Sequence, residues 1–337
     1  MTTDLIIGDE TIKLGERKKI FLKLAKLYDF TDMSIPVEVI RGKEDGPILF
    51  VSGAIHGDEI NGVEIIRRLL KRKMIKDIKG TLIAVPIVNV FGFNTKSRYL
   101  PDRRDLNRSF PGLKEGSLAS QIAYTFRKEI LEKCTHGIDL HCAAIDRKNL
   151  PQIRAHLDNP TVNEMAHAFN VPVILNSNLR EGSLRETAKN LNIPIILFEG
   201  GEALRFNEQA IKSGLKGIIS VMNKIGMTKT TEDKKSKPND VYTANSSHWV
   251  RAPYSGIAST KVKLGMYVEK GQVLGTISDP FGHEKHDVLA RATGIIIGMA
   301  TLPLLNRGEA FFHIATFEDA TIVEEQIDLY KEQTNPA

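Results

Sequence analysis

His56 and Glu59 stand three residues apart in His56-Gly-Asp-Glu59, a few residues after the apolar run Pro47-Ile-Leu-Phe-Val-Ser-Gly53. On a turn that enters a helix, this spacing lets both side chains aim at one point. A second histidine stands in Asp139-Leu-His141, within another apolar segment. Two histidines and one carboxylate form the ligand set of catalytic zinc sites, which keep a fourth position for water. A hydrolytic centre also needs a base to take the proton from that water. Glu199 suits this role, because it follows Ile195-Ile-Leu-Phe198 and precedes Gly200-Gly201. A glutamate that merely ends a strand at the surface is the alternative. Asp139 lies two positions before His141 and so shares its face of a regular strand. It either orients the histidine or makes a structural hydrogen bond.

Charge concentrates in one further segment. Between Lys96 and Arg108, the cations Lys96, Arg98, Arg103, Arg104 and Arg108 outnumber Asp102 and Asp105, leaving a local +3 of the whole chain's +5. The rigid fork of arginine suits a substrate carboxylate and a developing oxyanion. Arg103 and Arg104 read better as a solvated loop. With 337 residues, 42% hydrophobic and 26% charged, the chain is long enough for one large or two unequal domains around a real core. The small charge excess gives no argument for a nucleic-acid partner. Two cysteines, Cys134 and Cys142, cannot build a disulfide framework, which favours a reducing compartment. No signal-peptide core or membrane-length apolar run is present, so a cytoplasmic protein without a membrane partner is expected.

The elements that must position these residues follow from periodicity. Residues 47–53 and 81–88 read as buried strands around a helix with Val63, Ile65, Ile66, Leu69 and Leu70 at helical spacing, a βαβ unit. Further helices are predicted over 118–133, 161–169 and 207–225, and strands over 137–142, 171–175 and 193–199. Residues 228–247 read as a polar linker. Beyond them, short β-like pieces punctuated by glycine indicate a small all-β domain over 248–337, after a first domain over 1–227. Strand alternation turns Cys142 away from His141.

His-Gly-Asp-Glu, then S-R-Y-x5-D-L-N-R-S-F-P-G, then D-L-H, then F-E-G-G occur here in this order. Over about residues 45 to 225 the chain resembles the succinylglutamate desuccinylase/aspartoacylase family, relatives of the zinc carboxypeptidases. The resemblance implies an α/β carboxypeptidase-like α/β/α sandwich with a mixed sheet, followed by a small C-terminal β-domain that is barrel-sandwich-like. It also implies one zinc ion per chain, held by His56, Glu59 and His141, with Glu199 as the general base that later protonates the leaving amine. Arg98 would polarise the scissile carbonyl, Asn107 and Arg108 would hold a substrate carboxylate, and Arg185 corresponds to a polar residue upstream of the base that reads the substrate.

The expected activity is removal of an N-acyl group from an amino acid or related carboxylate-bearing small molecule. Peptide C-termini are the alternative substrate, and a non-catalytic binding module the alternative class. A homo-oligomer stays open. His283-Glu-Lys-His286 lacks the i, i+4 spacing of a helical metal pair and reads as a loop. Arg251-Ala-Pro-Tyr-Ser-Gly256 with Val268-Glu-Lys-Gly-Gln-Val-Leu274 is similar to a biotinyl/lipoyl carrier. Ser278-Asp-Pro-Phe-Gly282 occupies the place of the attachment lysine, which argues against a swinging arm.

Overall fold

The computed structural model describes residues 4–228 and 240–334. A hairpin of β1 (Leu5–Ile7) and β2 (Glu10–Ile12) precedes β3 (Arg17–Lys26) and β4 (Asp32–Arg41). The α/β body continues with β5 (Ile48–Gly53), α1 (Asn61–Leu69), β6 (Thr81–Val85), α2 (Val90–Thr95), α3 (Leu118–Glu129), β7 (His136–His141) and β8 (Arg147–Ala155). It closes with α4 (Pro160–Ala168), β9 (Val173–Asn176), α5 (Leu184–Asn190), β10 (Ile195–Glu202) and α6 (Glu208–Lys224).

Strands β6, β5, β7 and β10 lie side by side and parallel. Their apolar runs reflect burial on both faces, as such strands require. Antiparallel neighbours flank them, β4 and β3 on one side and β8 on the other, so the sheet is mixed. On one face Ile65, Ile66 and Leu69 of α1 pack with Ile211, Leu215 and Ile218 of α6. On the other, Ala119, Ile122 and Phe126 of α3 pack with Leu184 and Ala188 of α5. Helices on both faces of a mixed sheet make the α/β/α sandwich. The helix starts are fixed by side chains accepting orphan N–H groups: Ser117 for α3, Asn159 for α4, Ser183 for α5 and Asn207 for α6. Each such cap is worth about 1 kcal/mol.

The C-terminal segment comprises β11 (Tyr242–Ala244), β12 (Ser246–Arg251), β13 (Gly256–Thr260), β14 (Tyr267–Val268), β15 (Val273–Ser278), β16 (Lys285–Leu289), β17 (Gly294–Ala300), β18 (Leu304–Leu305), β19 (Ala310–Thr316) and helix α7 (Ala320–Thr334). Four of these strands form their own sheet, in the order β16-β15-β13-β18, over a core that includes Val268, Leu274, Ile277 and Phe312. Others extend the main sheet: β17 pairs antiparallel with β8, and β19 and β12 follow. The polar stretch read as a linker over 228–247 is corrected in part, because Tyr242–Ala244 runs parallel to β9 as β11 and β12 begins at Ser246. Residues 229–239 of that stretch lie outside the described residues. Helix α7 follows the last strand, an addition to the all-β domain expected over 248–337, and buries Val323, Ile327 and Tyr330. No helix among the described residues is long and apolar enough to cross a membrane.

Candidate active site

The ends of β5, β7 and β10 converge on one cavity of about 190 Å³, at the carboxyl ends of parallel strands where open α/β sheets place their sites. After β5 the chain turns through Ala54, whose φ of 49° lies in the left-handed region, and brings His56 and Glu59 inward. Gly57 is required by close approach: a Cβ there would lie 2.0 Å from the Gly92 carbonyl carbon in α2. His141 is the last residue of β7, and Glu199 lies directly opposite it on β10. Alternation sends the neighbouring Phe198 to the other face, where it stacks on Phe169 with ring centroids 5.2 Å apart.

His56, Glu59 and His141 are all buried, and their candidate ligand atoms lie within 4.8 Å of one another. His56 Nδ1 is 2.6 Å from Glu59 Oε1, and His141 Nδ1 is 2.8 Å from Glu59 Oε2. The far ring nitrogens meet carboxylates: His56 Nε2 is 3.2 Å from Asp105 Oδ1, and His141 Nε2 is 2.8 Å from Asp139 Oδ2. Asp139 is itself fixed by the Ser52 hydroxyl, which donates at 2.8 Å. Paired in this way, both imidazoles are oriented with Nδ1 inward, as ligands of a cation require. Of the two readings open for Asp139, orientation of His141 is the one its geometry serves.

The electrostatics agree. Burial opposes charge on His141, yet Asp139 and Glu59 hold its pKa well above the ordinary imidazole value. Buried Glu59 is held well below the usual carboxylate range by His56 and His141. Two imidazole protons thus crowd one carboxylate where a single divalent cation could serve all three groups. These residues fit a metal. The set is the one such group among the described residues, and His283 and His286 lie in an exposed hairpin outside it.

Arg98 follows α2, which ends at Lys96 with φ 56°. Asn89, the cap of α2, also donates to the Arg98 carbonyl at 3.3 Å. The guanidinium reaches Glu59 Oε1 at 3.3 Å and Asp105 Oδ2 at 3.0 Å, so Asp105 bridges His56 and Arg98. Asn107 is buried, and its Oδ1 accepts from the Leu184 N–H at 3.0 Å, leaving its Nδ2 as the group it can offer. Arg108 and Arg185 line the same cavity, whereas Arg103 and Arg104 are exposed and outside it. Arg185 is 8% exposed and donates to the Ser177 hydroxyl at 3.1 Å. Burial, helped by Arg154, pulls its pKa down to about 10.

Glu199 accepts a hydrogen bond from Asn149 Nδ2 at 2.9 Å, and Arg154 Nε lies 3.5 Å from its other oxygen. Both partners belong to β8, which hydrophobic periodicity does not reveal because its inward side chains here are polar. The lone signal was the run of amide and guanidinium side chains just after His141. Asp105 stands in the D-L-N-R motif, where the sequence shows its charge but not its contacts with His56 and Arg98. Trp249, from β12, reaches the cavity wall and was also missed. Cys142 corrects an expectation: β7 ends at His141, so alternation stops there. Cys142 lines the cavity, and its N–H donates to Glu59 at 3.1 Å.

Residues 45–225 match the succinylglutamate desuccinylase/aspartoacylase catalytic domain. The chain belongs to this family. A curated relative, the N-alpha-acetyl-L-2,4-diaminobutyric acid deacetylase of Halomonas elongata, is 28% identical over 272 residues, covering 77% of this chain and 79% of its own. The product-bound ectoine utilization protein EutE (DoeB) of Ruegeria pomeroyi superposes with a TM-score of 0.81 at 24% identity, over 89% of this chain and 95% of that one. A succinylglutamate desuccinylase/aspartoacylase from Rhodobacter sphaeroides gives 0.79 at 23% identity, over 89% and 96%. As members of this family share the fold over nearly the full length, the C-terminal strands are part of the common architecture.

Proposed function

We propose that this family member is a zinc-dependent amidohydrolase that removes an N-acyl group from an amino acid or a related carboxylate-bearing small molecule. The observation that carries this reading is the placement of Glu199 in the cavity that gathers His56, Glu59 and His141. The names of the family and of the Halomonas deacetylase support it. The small cavity and its arginines suit a compact anionic substrate better than a peptide. Two free, buried cysteines accord with a cytoplasmic setting.

Zinc, when held by His56, Glu59 and His141, supplies Lewis-acid polarisation and acidifies water. Glu199 accepts a proton from the attacking water as its oxygen bonds to the acyl carbon. Arg98 stands beside the developing oxyanion, a role worth on the order of 10²–10³ in rate. As the C–N bond breaks, Glu199 returns the proton to the amine nitrogen, the second water proton passes from the acyl oxygen to the same amine, and a carboxylate and an ammonium product leave. Asn107 Nδ2 and Arg108 hold a substrate carboxylate, and Arg185 reads a more distant part of the molecule.

The test is a hydrolysis screen of N-acetyl, N-succinyl and N-formyl amino acids against dipeptides, with His141→Ala as the control. Turnover of acyl amino acids that disappears in the control supports the reading. Turnover of peptides alone would move the activity to peptide C-termini.

A further inference from the structure

A second cavity, of about 380 Å³, adjoins the catalytic one of about 190 Å³. It lies where β8 ends and β10 begins: His156 follows the last residue of β8, and Ile195 is the first of β10. Glu199 stands further along β10, about 13 Å away at the rise of a strand, so a small molecule seated at Ile195 does not reach the proposed base. One side chain joins the two spaces. Arg185 lines both, and its guanidinium donates to the Ser177 hydroxyl at 3.1 Å. The backbone joins them a second time, because Leu179 lines the larger cavity and the next residue, Arg180, lines the catalytic one. Ser177, Leu179 and Arg180 all belong to the connection between β9 and α5.

The lining of this cavity is amphipathic. Val162, Leu179, Ile193 and Ile195 supply an apolar wall. Arg185 and Lys189, at i and i+4 on α5 and so on one face of the helix, supply two cations. The acid among the lining residues, Asp158, is engaged by His156, whose Nε2 lies 3.4 Å from its Oδ2. Among the described residues neither Arg185 nor Lys189 has a carboxylate at ion-pair distance. Burial penalises the Arg185 charge and Arg154 adds to the penalty, which pulls its pKa down to about 10. A carboxylate between Arg185 and Lys189 would balance that charge, with the guanidinium fork matching its two oxygens. An aliphatic chain behind the carboxylate would cover the apolar wall.

We propose that this cavity is an effector site for a small aliphatic carboxylate, whose binding turns the Arg185 guanidinium away from the catalytic cavity and weakens substrate binding there. The two states differ in the place of one guanidinium: on Ser177 and facing the substrate, or beside Lys189 and paired with the effector. Substrate and effector each favour one of them, so the coupling is reciprocal and bounded. The kinetic consequence rests on the deacylase reading, whereas binding of the effector does not.

The probes are hexanoate, acetate and hexanol, titrated by calorimetry into the full chain. Hexanoate is expected to bind once per chain, and roughly tenfold or more tightly than acetate, which lacks the chain, or hexanol, which lacks the charge. Lys189 is exposed and outside the catalytic cavity. Lys189→Glu should therefore keep the kcat and KM measured without effector, and weaken hexanoate binding roughly tenfold or more. In turnover of an N-acyl amino acid, hexanoate should raise KM to a plateau, and reaching that plateau in Lys189→Glu should take correspondingly more of it. Absence of hexanoate binding, equal binding of the three probes, or unchanged binding in Lys189→Glu overturns the proposal. So does a KM that bound hexanoate leaves unmoved, or one that climbs without a plateau, which would put hexanoate in the catalytic cavity. Lys189-dependent binding by a chain that hydrolyses no acyl compound would sink the deacylase reading and leave this site standing.

Discussion

Glu199 and His141 face each other across two parallel strands, in a register that sets one Cα opposite the other on β10 and β7. Adjacent strands lie about 4.8 Å apart, so both side chains leave the sheet side by side on the same face. The separation of Glu199, the proposed base, from His141, a proposed metal ligand, is therefore set by backbone hydrogen bonding within the buried centre of the sheet.

Replacing Glu199 by Gln removes the proton carrier while keeping the Asn149 contact available. The expected result is a fall in kcat of about 10²–10⁴ with metal content and melting temperature unchanged. Steady-state kinetics with metal analysis checks it, and retained activity would remove Glu199 from the mechanism.

The aim of Glu199 depends on Asn149, which in turn depends on an absent side chain across the sheet. A Cβ on Gly298 of β17 would stand 2.8 Å from Asn149 Oδ1 and 3.2 Å from His313 Cβ. Gly298→Val should push Asn149 off Glu199 and cost about 10- to 100-fold in kcat, since small misplacements at a reacting centre are expensive. Asn149→Ala should give a similar loss without the steric push. An unchanged kcat in both variants would show that the base needs no such support.

Asp105 accepts from His56 on one oxygen and from Arg98 on the other. Asp105→Asn should weaken metal binding about 10- to 100-fold, as loss of a ligand's outer partner does, and lower kcat through a looser Arg98. Competition with a chelator measures the first effect. Normal metal affinity would assign Asp105 to Arg98 alone.

Arg185 has a depressed pKa, so its charge is less favoured in the folded chain than in the unfolded one. Near neutral pH both states are charged and the folded state carries the burial cost. That cost is relieved only as pH rises above about 10, where the folded state sheds the proton first. Arg185→Met should therefore stabilise the protein at pH 7 by ~1–3 kcal/mol while weakening substrate binding. Denaturant melts and KM values test the two halves. A destabilised variant would contradict the expectation.

His313, whose folded pKa is about 3, works in the opposite pH range. Between that value and the ordinary imidazole pKa the unfolded chain binds the proton and the folded chain does not, so stability falls as pH drops through this window. At pH 4.5 the deficit is ~1–3 kcal/mol relative to pH 7. His313→Gln should flatten this acid limb, and an identical limb in wild type and variant would exclude His313 as its source.

Much of this was legible in the sequence because the residues that build the sheet and those of the candidate metal site leave separate signals. The apolar runs ending at Gly53, His141 and Glu199 mark parallel strands, and their reactive residues fall at or just beyond their carboxyl ends. β8 escaped because Asn149, Gln152 and Arg154 replace the apolar side chains by which a buried strand is recognised. β11 escaped because three residues against β9 carry too short a pattern. The placement of Trp249 depends on C-terminal strands joining the main sheet, a long-range pairing that no local spacing encodes.

We propose that removal of the N-acyl group requires a zinc ion held by His56, Glu59 and His141. Metal analysis of the purified chain and of His141→Ala, with hydrolysis of N-acyl amino acids measured on both, tests this requirement. The expected result is one zinc per chain and acyl release in wild type, with both lost together in His141→Ala. Full acyl release by His141→Ala, or by wild type stripped of metal, would contradict it.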